Sequence, residues 1–138
     1  MRKMVLGVAL STDKSEVVVI RKLKPAFMAG KLNVIGGKVE EGEELIDAMV
    51  REFSEAAGIE TEPSEWTEMG NISGSDFYVG LYHRSNDDVF SLEPHGRIVD
   101  DGEVVSLRRV SSIPNQNPMG NLMEIIQAAI DNREIFLT

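Results

Sequence analysis

From residue 43 to residue 57 the chain runs fifteen residues with neither glycine nor proline, approached through Gly36-Gly37 and closed off by Gly58. Within this run Leu45, Met49 and Phe53 recur every fourth residue, with Ile46, Val50 and Ala57 beside them. That spacing stacks apolar side chains on one face of a helix and turns the polar ones outward. A helix is therefore predicted over residues 43–57, with Gly58 as its stop and Glu43 and Glu44 in its first turn, where the positive end of the helix dipole favours carboxylates. Any fold must bury that stripe against a broad apolar surface.

Strands supply the surface. Residues 3–23 read as a hairpin, because residues 4–10 and 17–20 are apolar or β-branched and Ser11-Thr12-Asp13-Lys14 between them is turn-like. Lys24-Pro25 breaks the second strand, and residues 27–31 form a loop before the short run 32–35. Residues 66–72 and 77–83 read as strands flanking Gly74-Ser75-Asp76, and residues 104–110 as another after Asp101-Gly102. A second helix runs from Met119 or Gly120 to about Asn132, with Leu122, Ile125, Ile126, Ala129 and Ile130 as its buried stripe. Asp87-Asp88 and Asp100-Asp101 suit turns. Neither repeat nor linker interrupts this order, so residues 1–138 read as one domain, an α/β or α+β sandwich with a mixed sheet.

Composition sets the outer limits. With 138 residues and 42% hydrophobic content the chain can bury a real core, and without cysteine it has no disulfide, thiolate zinc site or thiol nucleophile. No apolar run approaches the roughly 20 residues a membrane-spanning helix needs. Met1-Arg2-Lys3 and the apolar residues after it look superficially like a secretory signal, but the stretch is short and lacks a small-x-small cleavage site, so a strand and a cytoplasmic location are expected. The net charge of −9 argues against polymeric nucleic acid. It is unevenly spread: residues 1–38 hold eight Lys/Arg against two Asp/Glu, the remainder six against twenty-one. A small polyanion bound together with metal ions fits a site where the two halves meet.

The chemistry concentrates between Gly37 and Ile59. On a helix Glu52 and Glu55 lie about 60° apart, with position 56 between them. Paired carboxylates of this kind make a hard-oxygen patch suited to magnesium, which takes one or two carboxylates and completes its octahedron with water and phosphate oxygens. The competing reading is a solvated acidic face with Asp47–Arg51 and Arg51–Glu55 ion pairs. The glycine-rich approach favours the first, since glycine lets backbone come close to a ligand and can leave carbonyls aimed at a metal.

Gly37, Glu43, Arg51, Glu52, Phe53, Glu55, Gly58 and Ile59 match in register the signature G-x5-E-x7-R-E-U-x-E-E-x-G-U, so the segment 37–59 resembles the Nudix box. Six of these specified positions would align by chance on the order of 10⁻⁷ per starting point. Residues 29–39 are also similar to the loop-strand-loop that enters the box in MutT-like and oxidised-purine nucleotide hydrolases. The resemblance implies the Nudix α/β/α sandwich and hydrolysis of a nucleoside diphosphate linked to a further group, by water attacking phosphorus. It implies Mg²⁺, with Mn²⁺ as a substitute, held by Glu52, Glu55 and the Gly37 carbonyl, and Arg51 with Glu43 as the pair that fixes loop against helix. Dimerisation is common in the family, so a homodimer is an expectation.

One position departs from the pattern. The signature asks for glutamate at 56, normally a principal metal ligand, and the chain has Ala56. Metal binding and turnover are therefore expected to be impaired. An engineered exchange, a natural rearrangement using another carboxylate and a natural loss of catalysis all fit, and the otherwise intact box favours the first. Glu103 is the candidate for a compensating ligand, against a reading as a surface charge where a strand begins.

The substrate is read from fewer residues. Arg21, Lys22, Lys24, Lys31 and Lys38 could reach a triphosphate or serve as solubilising edge charges. Asn33 matches the asparagine that contacts the purine in oxidised-purine hydrolases, and Phe27 occupies a loop place lining the same pocket. The aspartate pair those enzymes carry near the last helix is replaced here by Met119-Gly120 after Pro118. Asn115, Gln116, Asn117 and Asn121 offer amides instead, with loop and cap duty as the alternative. Trp66, Tyr78 and Tyr82 read as packing residues, and His83 and His95 as ordinary strand and loop histidines. A nucleoside triphosphate cut to monophosphate and pyrophosphate is the expected reaction. A nucleotide-sugar, ADP-ribose or dinucleotide pyrophosphatase, or a silent nucleotide- or protein-binding module, are the alternatives.

Overall fold

The structure, a computed structural model, describes residues 1–99 and 102–138; the turn expected at Asp100-Asp101 lies outside the described residues. The chain begins with β1 (Arg2–Leu10) and β2 (Glu16–Arg21), joined by the expected turn and closed by the Ser11 amide donating to the Glu16 carbonyl at 2.9 Å. Their register contact is Leu10↔Val17 next to the turn. Beyond it the strands part, and the apolar run at 32–35 divides at Val34 to fill the gap. β3 (Leu32–Asn33) pairs with β2, while β4 (Ile35–Lys38) pairs with β1 from Gly7↔Ile35 to Met4↔Lys38.

The helix α1 (Leu45–Ala57) follows, stopped by Gly58 in the left-handed region at φ 71°. It starts two residues later than its sequence suggests. Glu44 is the extended N-cap and Glu43 lies before the helix, drawn away by Arg51, so the first-turn carboxylate is Asp47. Next come β5 (Thr67–Ser73) and β6 (Phe77–Ser85), then β7 (Arg97–Val99) and β8 (Glu103–Arg109). The second helix, α2 (Leu122–Ile130), begins after Asn121, whose φ of 67° keeps residues 119–121 out of the helix, and β9 (Ile135–Leu137) ends the order. β7 and β9, three residues each at the two sheet edges, are too short to show a period in sequence.

The sheet order β7-β8-β2-β1-β6-β5-β9 is mixed, with β1 parallel to β6 and antiparallel to β4. Alternation along the strands splits the core between two faces. Val8, Leu10, Val17 and Val19 pack under Leu122, Ile125 and Ile126 of α2; Val5, Ala9, Val18 and Ile20 pack under Met49 and Phe53 of α1. The result is an α/β/α sandwich. Among the described residues no helix is long and apolar enough to cross a membrane.

Trp66 and Tyr82 are buried beneath α1, as their packing reading expects. Phe53 meets Trp66 edge-on at 5.2 Å, and the Arg84 guanidinium stands over both rings at 5.6 and 5.7 Å while binding Asp88 at 2.7 and 2.8 Å. Phe53 thus anchors the face of α1 opposite its carboxylates. Phe53→Ala is expected to cost about 3–5 kcal/mol, read as a lowered urea midpoint.

Candidate active site

Arg51 sits on the outward face of α1 with a quarter of its side chain exposed. Its Nε and Nη2 each donate to a Glu43 carboxylate oxygen at 2.9 Å, Nη2 also donates to the Lys38 carbonyl at 2.9 Å, and Nη1 donates to Glu52 Oε1 at 2.8 Å. Glu55 Oε2 lies 3.5 Å from the same Nη1. One guanidinium therefore ties the end of β4, the loop before the helix and the helix itself. The Arg51 side chain, together with the Glu40 amide, holds the Glu43 carboxyl down to about 2, and Glu43 in turn pushes the Arg51 pKa up.

The clamp brings Glu52 down onto the glycines. A Cβ at Gly37 would collide with the Glu52 carboxylate, so glycine lets that carboxylate lie directly against β4, and a larger residue would push it aside. Glu55, one turn on, keeps 61% of its side chain exposed. Glu52, Glu55 and Ala56 form one wall of a cleft of about 240 Å³, and Ile20, Lys22, Ile35, Gly36, Val99 and Glu103 form the rest. The sheet residues come together by alternation: Ile20 pairs with Val105, two residues beyond Glu103, and Val99 pairs with Glu103.

Glu103 is no surface charge. It is 2% exposed, and among the described residues the segment leaving β2 holds its carboxylate: Lys22 Nζ donates to Oε1 at 3.1 Å, and the Leu23 and Lys24 amides donate to Oε2 at 2.9 and 3.3 Å. Burial pushes its pKa up, but the Leu23 amide, Lys22 and the Lys24 amide together outweigh burial and hold it below the usual carboxylate value. Lys22, one of the five basic residues read from the sequence as able to reach a triphosphate, lines the cleft too. Its place there follows from the register of β2 on β8, which no local pattern reveals.

The other expected residues are spread around this centre. Asn33 is half-buried and pairs with Ile20, so it belongs to the cleft-side face, and its Oδ1 accepts the Val34 amide at 2.9 Å. Phe27 is 68% exposed, and Lys24 and Lys38 are exposed; none of these four lines the cleft. Arg21 braces the loop, donating to the Gly30 carbonyl at 3.1 Å and the Gln116 carbonyl at 2.6 Å, and Asn117 Nδ2 reaches the same Gly30 oxygen at 3.2 Å. The amide-rich segment thus serves as loop bracing here.

The donor set suits a hard cation with few protein ligands. Glu52 and Glu55 stand one turn apart over the glycine strand, while among the described residues no three Asp, Glu or His side chains converge on a point. Two carboxylates are enough for magnesium when water and phosphate oxygens fill the other positions.

The chain belongs to the NUDIX domain family, whose model matches residues 1–122. It is a MutT-like member. Over 108 residues it is 31% identical to the 8-oxo-dGTP diphosphatase of Escherichia coli (strain K12), covering 78% of this chain and 83% of that one. A structure from work on MutT of Aliivibrio salmonicida and Vibrio cholerae matches with TM-score 0.73 at 24% identity, over 95% of this chain and 98% of the other. The NUDIX domain of Shewanella oneidensis NrtR, in complex with ADP ribose, matches with TM-score 0.74 at 13% identity, over 94% and 86%. The expected α/β/α sandwich is the fold these structures share.

Two outcomes follow from the clamp. Because the Glu43 carboxyl falls from its ordinary 4.5 to about 2 on folding, its contribution is complete above about pH 4.5 and disappears as pH drops through 2. Glu43→Gln should lower stability at pH 7 by about 1 kcal/mol and flatten the acid side of a melting-temperature profile. Gly37→Ala should displace the Glu52 carboxylate and weaken Mn²⁺ binding about tenfold or more while the far-ultraviolet spectrum is retained.

Proposed function

We propose that this chain is a divalent-metal-dependent nucleotide pyrophosphohydrolase that cuts a purine (deoxy)nucleoside triphosphate to monophosphate and pyrophosphate, with turnover limited by Ala56. The observation that carries this reading is the Arg51 clamp, which sets Glu52 against Gly37 and Glu55 one turn away in the wall of a single cleft. The Escherichia coli relative, an 8-oxo-dGTP diphosphatase, makes oxidised and ordinary dGTP the first substrates to test.

Glu52, Glu55 and the Gly37 carbonyl would hold Mg²⁺ or Mn²⁺, which when bound neutralises phosphate oxygens and lowers the pKa of a coordinated water. The residues of the chain do the rest. Water attacks phosphorus, the bond to the bridging oxygen breaks, and pyrophosphate and nucleoside monophosphate leave. Glu52 is engaged by Arg51 at 2.8 Å, whereas Glu55 is more exposed and 3.5 Å away, so Glu55 is the carboxylate positioned to accept the proton. Asn33 and Phe27 are assigned to the base, and Lys24 and Lys38 to the phosphates. The chain acts as a homodimer in the cytoplasm.

A second reading has its own observation. With a methyl group at 56 the described wall of the cleft lacks one carboxylate that the box pattern provides for, which suits a module that binds nucleotide or ADP-ribose-like ligands without turnover. The two separate in one assay: nucleotides with Mg²⁺ or Mn²⁺, scored for released pyrophosphate or phosphate, on this chain beside Ala56→Glu. Ala56→Glu should raise metal-dependent hydrolysis about 10–100-fold. Binding without hydrolysis in either form would replace the enzyme with the module.

A further inference from the structure

A second cavity, of about 320 Å³, opens on the other flank of α1, between Glu44, Leu45 and Ile46 of the helix start and Trp66, Glu68 and Tyr82 of the sheet. The Glu52 cleft lies over β2 and β8; this one lies across β1 from it, over β5 and β6. Its origin is strand register. Glu68 pairs with Tyr82, so both side chains stand on the face that α1 covers, and α1 begins only at Leu45, which rests over Gly80. The space beside Glu68 is left open.

The polar groups of this cavity are unused by the fold. Tyr82 is 4% exposed, yet no described residue hydrogen-bonds its hydroxyl. Burial first, and then the Glu68 carboxylate, push its pKa up to about 12. Glu44 is the N-cap of α1, but its side chain caps no helix amide. Neither the Glu44 nor the Glu68 carboxylate receives a hydrogen bond or an ion pair from another described residue. Arg84, packed on Trp66, is committed to Asp88 and Glu65. Residues 39–68 hold eleven Asp/Glu and the single base Arg51, so the approach to the cavity attracts cations. A hydrated metal ion gains little there, because Leu45, Ile46 and Trp66 offer carbon where it needs oxygen. An organic cation can use both kinds of wall.

We propose that this cavity binds an organic cation, a guanidinium or ammonium head on a slender apolar stem. The head sits among the Glu44 and Glu68 carboxylates and the Tyr82 hydroxyl, and the stem lies along Leu45, Ile46 and Trp66. Such a group occurs on a free amine or guanidine and on a lysine or arginine side chain of a basic peptide. The site stands apart from the nucleotide cleft and does not rest on the reading of that cleft.

Trp66 is the one tryptophan of the chain, so its emission reports on the cavity. Metal-free protein titrated with n-butylguanidinium chloride at constant ionic strength should show saturable one-to-one binding by calorimetry and a shifted Trp66 emission. Glu44→Gln and Glu68→Gln should each weaken binding about fivefold, and Tyr82→Phe, which keeps the ring and loses the hydroxyl, about threefold. Glu124→Gln makes the same charge change on α2, across the sheet, and should alter binding less than about 1.5-fold, as should Glu52→Gln in the cleft. Neither n-butanol, the stem without the charge, nor Mg²⁺, a charge without the stem, should displace the probe at equal concentration.

The capped peptide acetyl-Gly-Arg-Gly-amide distinguishes the sources. Binding at least as tight as that of n-butylguanidinium supports the site with a peptide side chain as its ligand, and binding of the free cation alone supports it with a small molecule. Absence of saturable binding by either probe overturns the proposal. So does an equal loss in Glu124→Gln and Glu68→Gln, which marks attraction to net charge only, or displacement by Mg²⁺. Melting curves establish that each variant is folded; if Tyr82→Phe is not, the exposed Glu44 and Glu68 variants decide.

Discussion

The guanidinium of Arg51 is the constraint on which the site depends. Met49 and Phe53 bury α1 against the sheet beside Ile35 of β4, but the loop at Glu43, the strand end at Lys38 and Glu52 on the helix still present polar groups that need partners. Arg51 supplies all of them from one planar fork. A lysine could not, because a single ammonium lacks the bidentate geometry that grips a carboxylate while a further N–H reaches a carbonyl. The buried stripe of α1 sets which face meets the sheet, and the fork then holds Glu52, with Glu55 nearby, at the glycine strand.

The sheet meets them through a split. β1 and β2 are neighbours only at their turn, and β3 and β4 occupy the widening space, so the floor beneath α1 is made from Ile20 of β2 and Ile35 and Gly36 of β4. The parting of two strands places a glycine backbone under Glu52 and opens the cleft toward β8. The residues that anchor α1 from below, Phe53 with Trp66 and Arg84, lie on its other face. Core packing and site chemistry therefore use different stripes of one helix.

Much of this was legible in the sequence because it is local. The four-residue spacing of Leu45, Met49 and Phe53 reports the buried face of α1, and the resemblance of residues 37–59 to the Nudix box implies the Glu43–Arg51 pair at the centre of the clamp. The helix start was misread because Glu43 looks like a first-turn carboxylate and is instead drawn off by Arg51, a choice between two favourable electrostatic partners that spacing alone does not decide. Three-residue edge strands carry no period. The pairing of Lys22 with Glu103 spans 81 residues and depends on β2 lying against β8 in one register, so the sequence offers each a site role or a surface role but not the pair.

The cleft draws most of its wall from residues 20–56, and the far side from Val99 and Glu103 of the β7–β8 hairpin at the sheet margin. The catalytic-type helix and the framework under it are thus separable from the opposing rim. The rim that Val99 and Glu103 supply is built apart from the acid-bearing helix and the aromatics that anchor it, so a change of cleft shape at the sheet margin leaves the interior packing of this chain untouched.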